Sequence, residues 1–417
     1  MTGVETAGGR EPGMTAQELI GAADLEAART AVTGLAVRTP TLASPELSEQ
    51  LGSAVWLKAE CLQSTGSFKF RGALSRVAAL GPAAERGLVT ASAGNHARAV
   101  AQAARLRGVS CDVFMPRDAT VSKVLAAEAL GARVRLEGAS VDDTFEQALR
   151  LAQESGAEFV HPFDDIDVIA GQATLALELI EDVPDLARVV VPVGGGGLAS
   201  GIGIALRRAG RDVRLVGVQA AACAPYVDAL AGRPVQRAAA MTIADGVAIK
   251  HPGTLTLPLL RELLDEMETV EEDQIADAMV FLAERSKLVA EGAGAIAVAA
   301  LMSGALPPID GTTVAVVSGG NVDSGLLASL LLRHESEEGR RVRIFTRVPD
   351  RPGGLAELLG LIAAARANVV SVEHVREAVP LHVRETGVEL TLETRGPGHT
   401  EEVLGVLAAG GYEARLG

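Results

Sequence analysis

The sequence predicts an α/β protein built on parallel sheet, followed by a smaller ferredoxin-like unit. Two observations carry that class. Through most of the chain, short β-branched runs alternate with Ala/Leu-rich stretches of helical length, and the strand runs are apolar almost end to end. That is the pattern of a parallel sheet covered by helices on both faces. Residues 342–417 then change to a β-α-β-β-α-β order, the ferredoxin-like arrangement.

In chain order, strands are expected at 87–92 (GLVTAS), 111–116 (CDVFMP), 133–138 (RVRLEG), 188–193 (RVVVPV), 214–219 (RLVGVQ) and 313–318 (TVAVVS). Helical periodicity fits 97–107, 144–155, 198–209 and 272–285. Residues 334–341 (HESEEGRR) read as a polar, charged linker. Beyond it come strand 341–348, turn 349–354 (PDRPGG), helix 355–366, strands 368–377 and 386–394, helix 399–409 and strand 412–417.

Composition narrows the function class. A chain of 417 residues has room for two or three domains, and 48% hydrophobic with 22% charged residues is ordinary globular usage. A net charge of −15 without any basic run argues against a nucleic-acid or anionic-membrane surface. Cys61, Cys111 and Cys223 are widely spaced, with no CxxC, so neither a disulfide framework nor a zinc site is indicated. Residues 1–14 (MTGVETAGGREPGM) lack an apolar core behind a basic start and read as a flexible tail rather than a signal peptide. The uncharged runs 189–206 and 292–309 contain four consecutive glycines and Pro307-Pro308, respectively, which makes both poor spanning helices. The expectation is a cytoplasmic protein.

In open α/β sheets, ligands bind beyond the carboxyl ends of the strands. Lys69 stands between Phe68 and Phe70, behind a Thr65-Gly66-Ser67 turn, in a chain with eight Phe, two Tyr and one Trp. A lysine desolvated by such neighbours has a lowered pKa and becomes an amine nucleophile, as Schiff-base chemistry requires. The competing reading is a lysine snorkelling along an apolar surface. Gly194, Gly195, Gly196 and Gly197 follow a buried strand and lead into a helix near Leu198. Converging N–H groups and a helix N-terminus make an anion cradle there. No GK[ST] follows. Gly194, Gly196 and Ala199 satisfy a relaxed G-x-G-x-x-A pattern, but the next strand ends in Gln219 where a ribose-binding acid belongs. A phosphate cradle without nucleotide features fits better than that, or than a merely flexible loop. Ser92, Asn95 and His96 follow one expected strand, and Ser318, Gly319, Gly320 and Asn321 another; each group alone also reads as a capping turn. An amine, an anion cradle, an amide and a hydroxyl together suit a cofactor with an aldehyde, a phosphate, a phenolic oxygen and a ring nitrogen. Pyridoxal phosphate is that cofactor.

Seven stretches in order carry a resemblance: KAECLQSTGSFKFRGA (58–73), SAGNHA (92–97), VIAGQ (168–172), PVGGGGL (192–198), ADGVAIKHPG (244–253), EGAGA (291–295) and SGGN (318–321). By them, residues from about 39 to 323 resemble the fold-type II pyridoxal-phosphate enzymes, most closely the threonine dehydratase (threonine ammonia-lyase) and serine racemase group. The resemblance implies a catalytic domain over 15–333, made of two parallel-sheet α/β subdomains with the smaller inserted at roughly 55–160. It implies Lys69 as the Schiff-base lysine and Phe68 beside the cofactor ring. Asn95 would bond the phenolic oxygen, Gly194 to Leu198 the phosphate, and Ser318 the pyridine nitrogen. Ser92, Ala93, Gly94, Asn95 and His96 would meet the substrate, with Ser92 on the face opposite Lys69. The implied reaction is β-elimination of L-threonine to 2-oxobutanoate and ammonia, and of L-serine to pyruvate. The alternatives are an amino-acid racemase or a lyase for another β-hydroxy amino acid such as hydroxyaspartate. A nicotinamide oxidoreductase leaves Lys69 unexplained, and a non-catalytic amino-acid sensor would require decayed motifs; these are intact.

There are departures. Arg98 and Ala99 stand where the family usually has Gln and Gly, and Ala173 turns GQGT into GQAT. Some relatives bind a divalent cation through a Glu-Pro pair and a nearby acid. Here Gln219-Ala220 and Pro225 take those places, so no metal is expected there. Residues 342–417 resemble an ACT domain. Its DRPGGL turn, with Asp350, Gly353 and Gly354, would hold a regulatory branched-chain amino acid such as isoleucine or valine; the competing reading is a purely structural oligomerisation module. Ferredoxin-like units of about 75 residues have small cores and exposed sheet edges, which favours pairing with a neighbouring subunit, so a homotetramer or homodimer is expected; the resemblance implies a place in isoleucine biosynthesis.

Overall fold

A computed structural model describes residues 15–138, 141–235, 242–375 and 384–417. The expected tail at 1–14 and the last two residues of the strand expected at 368–377 lie outside the described residues. The chain divides into two compact units, Met1–Val322 and Asp323–Gly417.

In the first unit, strands β1 (Thr41–Ala43) and β2 (Val55–Ala59) open a large sheet. The chain then leaves it to build a small sheet from β3 (Leu88–Ala91), β4 (Cys111–Met115), β5 (Arg133–Leu136) and β6 (Glu158–Phe159). It returns with β7 (Leu186–Pro192), β8 (Arg214–Ala220), β9 (Glu266–Val270) and β10 (Thr312–Val317). The large sheet has the order β1-β2-β10-β7-β8-β9 and is parallel except at β1; the small sheet, β5-β4-β3-β6, is parallel throughout. Every residue of β3, β4 and β10 is buried, the signature read from their apolar runs. The inserted subdomain is smaller than expected. Residues 55–59 belong to the large sheet, in register with β10 (Trp56 opposite Val314), because Val55, Leu57 and Ala59 bury their side chains in that sheet. The first strand of the small sheet is therefore β3, well after residue 55.

Glycines let the helices that carry the site pack closely. A Cβ on Gly171 would lie 2.5 Å from the Arg71 carbonyl oxygen, and one on Gly201 would lie 2.5 Å from that of Ile169. The helix Ile166–Asp182 is thus pressed against both Lys69–Leu80 and Gly197–Arg208. Ala173 is fully buried in this contact, so its departure from GQGT is a matter of core packing. A shielded ion-pair lattice ties the same helices to β2. Lys58 Nζ donates to Glu178 at 2.6 Å and to the Thr39 carbonyl at 2.8 Å. Arg71 bonds Glu60 and Glu178, each at 2.7 Å. The expected helix at 272–285 is α-helical over Glu272–Phe281 and widens into a π turn, Leu282–Ser286, which ends at Lys287 with φ 58°.

In the second unit the helix Ser324–Glu337 comes first, capped by Asp323, whose carboxylate accepts from the N–H groups of Gly325 and Leu326. The linker expected at 334–341 is therefore corrected: 334–337 is the last turn of this helix and only 338–340 connect. The Leu-rich stretch propagates the helix, and Arg333 pairs with Glu337 one turn on at 2.7 Å, so the charges support a helix rather than a loop. Then follow β11 (Arg341–Pro349), the helix Gly354–Ala364, β12 (Asn368–Val375), β13 (Glu385–Glu393), the helix Pro397–Ala409 and β14 (Arg415–Leu416). The antiparallel order β12-β13-β11-β14 is the ferredoxin-like one. Among the described residues, no helix is long and apolar enough to cross a membrane.

Candidate active site

Lys69 is the first residue of its helix, and the preceding turn is pinned to the end of β10. The Phe68 N–H donates to the Ser318 carbonyl at 3.0 Å, and Ser67 bridges to Gly319. The two phenylalanines divide the work. Phe70 is fully buried in the small-subdomain core, whereas the Phe68 ring centroid lies 5.2 Å from Lys69 Nζ. The ammonium donates to the Pro162 carbonyl at 2.7 Å. A carbonyl compensates a buried cation poorly, and burial pulls the Lys69 pKa down to about 8, against the opposing pull of Glu291. The desolvation expected from the sequence is present, with the Phe68 ring and the Pro162 backbone beside the amine rather than both phenylalanines.

The glycine loop lies against the same segment. A Cβ on Gly195 would fall 2.0 Å from the Phe163 ring, and one on Gly197 would fall 2.9 Å from the Phe163 carbonyl oxygen. Gly196 has φ +85° and caps the helix Gly197–Arg208, which suits a residue without Cβ. Because Pro162 touches the lysine and Phe163 the loop, two consecutive residues bring Lys69 and Gly194 to Leu198 together. Support comes from behind. The Tyr226 and Thr256 hydroxyls each donate to the Gly195 carbonyl at 2.8 Å, and Asp164 accepts from the N–H groups of Thr254, Leu255 and Thr256. Gln219, in the expected ribose or metal position, braces this support: its amide donates to the Val193 carbonyl and accepts from the Tyr226 and Val227 N–H groups.

A third cluster forms around Asn95, first residue of the helix Asn95–Arg107. Its Nδ2 donates to Glu291 Oε1, and its Oδ1 accepts from Asn321 Nδ2 at 2.7 Å. Asn321 also donates to the Thr65 carbonyl at 2.9 Å, while Arg98 donates to Asn321 Oδ1. Burial raises the Glu291 carboxyl to about 7, despite the lowering effect of the Asn95 bond. Ser92 accepts the Gly94 N–H at 3.2 Å, and a Cβ on Gly94 would meet nothing within 4 Å, so this turn borders open space. The His96 ring is buried and bonds the Val160 carbonyl at 3.0 Å; burial, with Lys69 adding to it, lowers its pKa to about 3, so it stays neutral. Ser318 is buried at the end of β10 and its hydroxyl donates to the Ala293 carbonyl at 3.2 Å.

A family model described as pyridoxal-phosphate dependent enzyme matches residues 32–319, and an ACT domain model matches 342–409. The chain belongs to the pyridoxal-phosphate-dependent enzyme family. It is 45% identical over 396 residues to the L-threonine ammonia-lyase of Thermotoga maritima, covering 94% of this chain and 98% of that one. Among solved structures, the T.th. threonine deaminase matches with a TM-score of 0.67 and 40% identity over 72% of this chain and 98% of its own. Maize serine racemase matches with a TM-score of 0.71 and 33% identity over 76% and 98%. The residues present suit the family's cofactor: a desolvated amine, a glycine loop at a helix start that admits no side chain, and an amide and a hydroxyl nearby.

Some participants escape the sequence reading. Glu291 opens the EGAGA motif without a role read for it there; in the structure it holds the N-cap position of the helix Gly292–Met302, yet its side chain makes no capping bond and turns to Asn95. Asn321 is visible in SGGN but has no partner that the sequence assigns. Pro162 and Phe163 carry no signal beyond following a short, half-buried strand.

Proposed function

We propose that this enzyme is a pyridoxal-phosphate-dependent ammonia-lyase that converts L-threonine to 2-oxobutanoate and ammonia, and L-serine to pyruvate. The observation that carries the reading is Lys69, an amine desolvated to a pKa of about 8, in a chain 45% identical over nearly its whole length to an L-threonine ammonia-lyase. When bound, the cofactor supplies an electron sink for negative charge at the substrate Cα. The chain's own residues supply the rest. Lys69 would hold the cofactor aldehyde, and the same amine is a base matched to the Cα proton at neutral pH. The N–H groups of Gly194 to Leu198, which lack intrahelical acceptors at a helix start, would take the phosphate. Asn95 would bond the phenolic oxygen and Ser318 the ring nitrogen. A neutral serine does not hold that nitrogen protonated as a carboxylate would, which favours elimination over transamination. The turn Ser92, Ala93, Gly94, Asn95, His96 would receive the substrate carboxylate at the N-terminus of Asn95–Arg107, with the Ser92 hydroxyl across from Lys69. The Cα proton and the β-hydroxyl leave as water; hydrolysis of the remaining enamine returns one water and gives the 2-oxo acid and ammonia.

Incubating the loaded enzyme with threonine, serine and hydroxyaspartate tests this. Formation of 2-oxobutanoate from threonine supports it. Inversion of serine without 2-oxo acid would favour a racemase, the reading the likeness to maize serine racemase keeps open.

The second unit adds regulation. Gly353 has φ +90°, and a Cβ on Gly354 would lie 2.4 Å from the Pro349 carbonyl oxygen, so the Asp350-to-Gly354 turn is built for glycine. In this reading the turn binds isoleucine or valine, with Asp350 and the Gly353 and Gly354 backbone as contacts, in a homodimer or homotetramer that serves isoleucine biosynthesis. A response of threonine turnover to millimolar isoleucine or valine is its test.

A further inference from the structure

The Asn95 cluster has a direction. Arg98 is a donor without any acceptor, so the Asn321 oxygen must face it. The Asn321 amino group then faces the Asn95 oxygen and the Thr65 carbonyl. The Asn95 amino group in turn faces Glu291. A hydrogen-bond chain thus runs one way, from guanidinium to carboxylate, through two amides. The cluster is tightly seated: a Cβ on Gly66 would lie 2.4 Å from Asn321 Oδ1, and one on Gly319 would lie 2.2 Å from Glu291 Oε1 and 3.2 Å from Asn95 Nδ2. Charge-assisted bonds at the two ends are stronger than neutral ones. A glutamine at position 98, the residue expected from the resemblance, donates or accepts equally well, which removes the donor-only end of the chain and leaves the Thr65 carbonyl and, through Asn95, an ionised Glu291 to orient Asn321.

We propose that Arg98 is a positioning residue that fixes the polarity of the Asn321–Asn95–Glu291 chain, so that Asn95 presents its second N–H hydrogen, and never its oxygen, to the cofactor's phenolic oxygen. The proposal rests on the reading of Asn95 as the phenolic-oxygen ligand. Arg98 touches neither substrate nor cofactor in this assignment; it acts through Asn321.

Glu291 is the ionisable group at the accepting end of the chain. It is felt by Arg98 and Asn95 from one helix, Lys69 from another, Cys61 from the turn before that helix, and Lys123 and Asp245, which pair with each other at 2.7 Å. Arg98 lowers the Glu291 pKa. Losing it moves protonation of Glu291 to higher pH, and a neutral Glu291 no longer dictates which way the Asn95 amide points.

The test is a pH titration of the visible absorption band of the purified holoenzyme, with the cofactor dissociation constant measured in parallel. For Arg98→Gln the expected result is an upward shift of a band transition near neutral pH, with weaker cofactor binding. Arg98→Lys, which stays a cationic donor, should largely restore both. Glu291→Gln should remove that transition, and adding Arg98→Gln to it should change the titration no further. Wild-type behaviour in Arg98→Gln, or equal defects in the Gln and Lys variants, overturns the proposal. If Arg98→Gln does not fold, the comparison of Arg98→Lys with Glu291→Gln decides: Lys must keep the transition that Gln at 291 removes. An unchanged spectrum in Asn95→Ala would instead overturn the underlying assignment of Asn95. A changed spectrum there, with none in Arg98→Gln, overturns the role of Arg98 alone.

Discussion

Lys58 and Lys69 stand eleven positions apart, both shielded from water, and the molecule treats them oppositely. Lys58 is fully buried and answered by Glu178 at 2.6 Å and the Thr39 carbonyl, inside a lattice where Arg71 also bonds Glu60 and Glu178. Lys69 meets a carbonyl and an aromatic ring, and its pKa falls to about 8. Shielding alone therefore does not make a lysine reactive. A cation with a carboxylate at hydrogen-bond distance is structural; one denied a carboxylate is a nucleophile and base in waiting. Arg71 lies two residues beyond Lys69 on the same helix, so the lattice anchors the start of the helix that carries Lys69.

The largest effect expected from breaking this contrast is on turnover. On the proposed assignment Lys69→Ala removes cofactor anchor and base together, and threonine turnover should fall at least ~1,000-fold, about 4 kcal/mol of barrier, with the fold retained by circular dichroism. A variant keeping a tenth of the activity would show that Lys69 is not both groups.

Arg71→Met should act on stability first. It leaves Glu60 buried with Thr39 as its remaining partner, and unpairing a buried charge costs about 3–5 kcal/mol. Burial pushes the Glu60 carboxyl up, but Arg71 beside it wins and holds it below the usual range. A carboxyl held low stabilises the fold above its ordinary value of 4.5, and that contribution is lost as pH falls through its folded value. Urea unfolding at pH 7 and pH 4 should show a smaller difference between wild type and variant at the lower pH.

Lys69 carries the opposite sign. Its lowered pKa destabilises the cofactor-free fold below about 8, and the cost fades as pH rises toward the ordinary 10.5. Cofactor-free Lys69→Met should then be more stable than wild type at pH 7, by an amount on the order of 2 kcal/mol given the partial exposure of the side chain, and the gain should shrink by pH 10. Equal stability across that range would contradict the desolvation account.

The smallest expected effect lies in the second unit. Truncation after Gly339 keeps the helix Ser324–Glu337 whole and removes the ACT fold. Threonine turnover without effector should persist, while the response to isoleucine or valine, expected at about fivefold or ~1 kcal/mol of coupling, should vanish. Identical curves for the full and truncated chains would leave the ACT unit a structural module.

Strand–helix alternation places the buried strands β3, β4, β7, β8 and β10 within a residue or two, because a strand buried on both faces has a composition of its own. β2 and β9 are harder to see: one contains Lys58, whose partner lies 120 residues away, and the other mixes Glu with apolar residues at the sheet edge. The linker is misread from sequence because local charge says nothing about whether a helix already under way will stop. In the site, Lys69 and the glycine loop are legible because their chemistry is local. Glu291 is not, since its meaning depends on Asn95, 196 positions earlier, and on burial that no local pattern discloses.

The most direct measurement is where the cofactor attaches. Loaded enzyme is reduced with borohydride, digested, and the pyridoxyl-bearing peptide sequenced by mass spectrometry. The mark is expected on Lys69. A mark on Lys58 or any other lysine, or none on a protein that turns over threonine, would contradict the account.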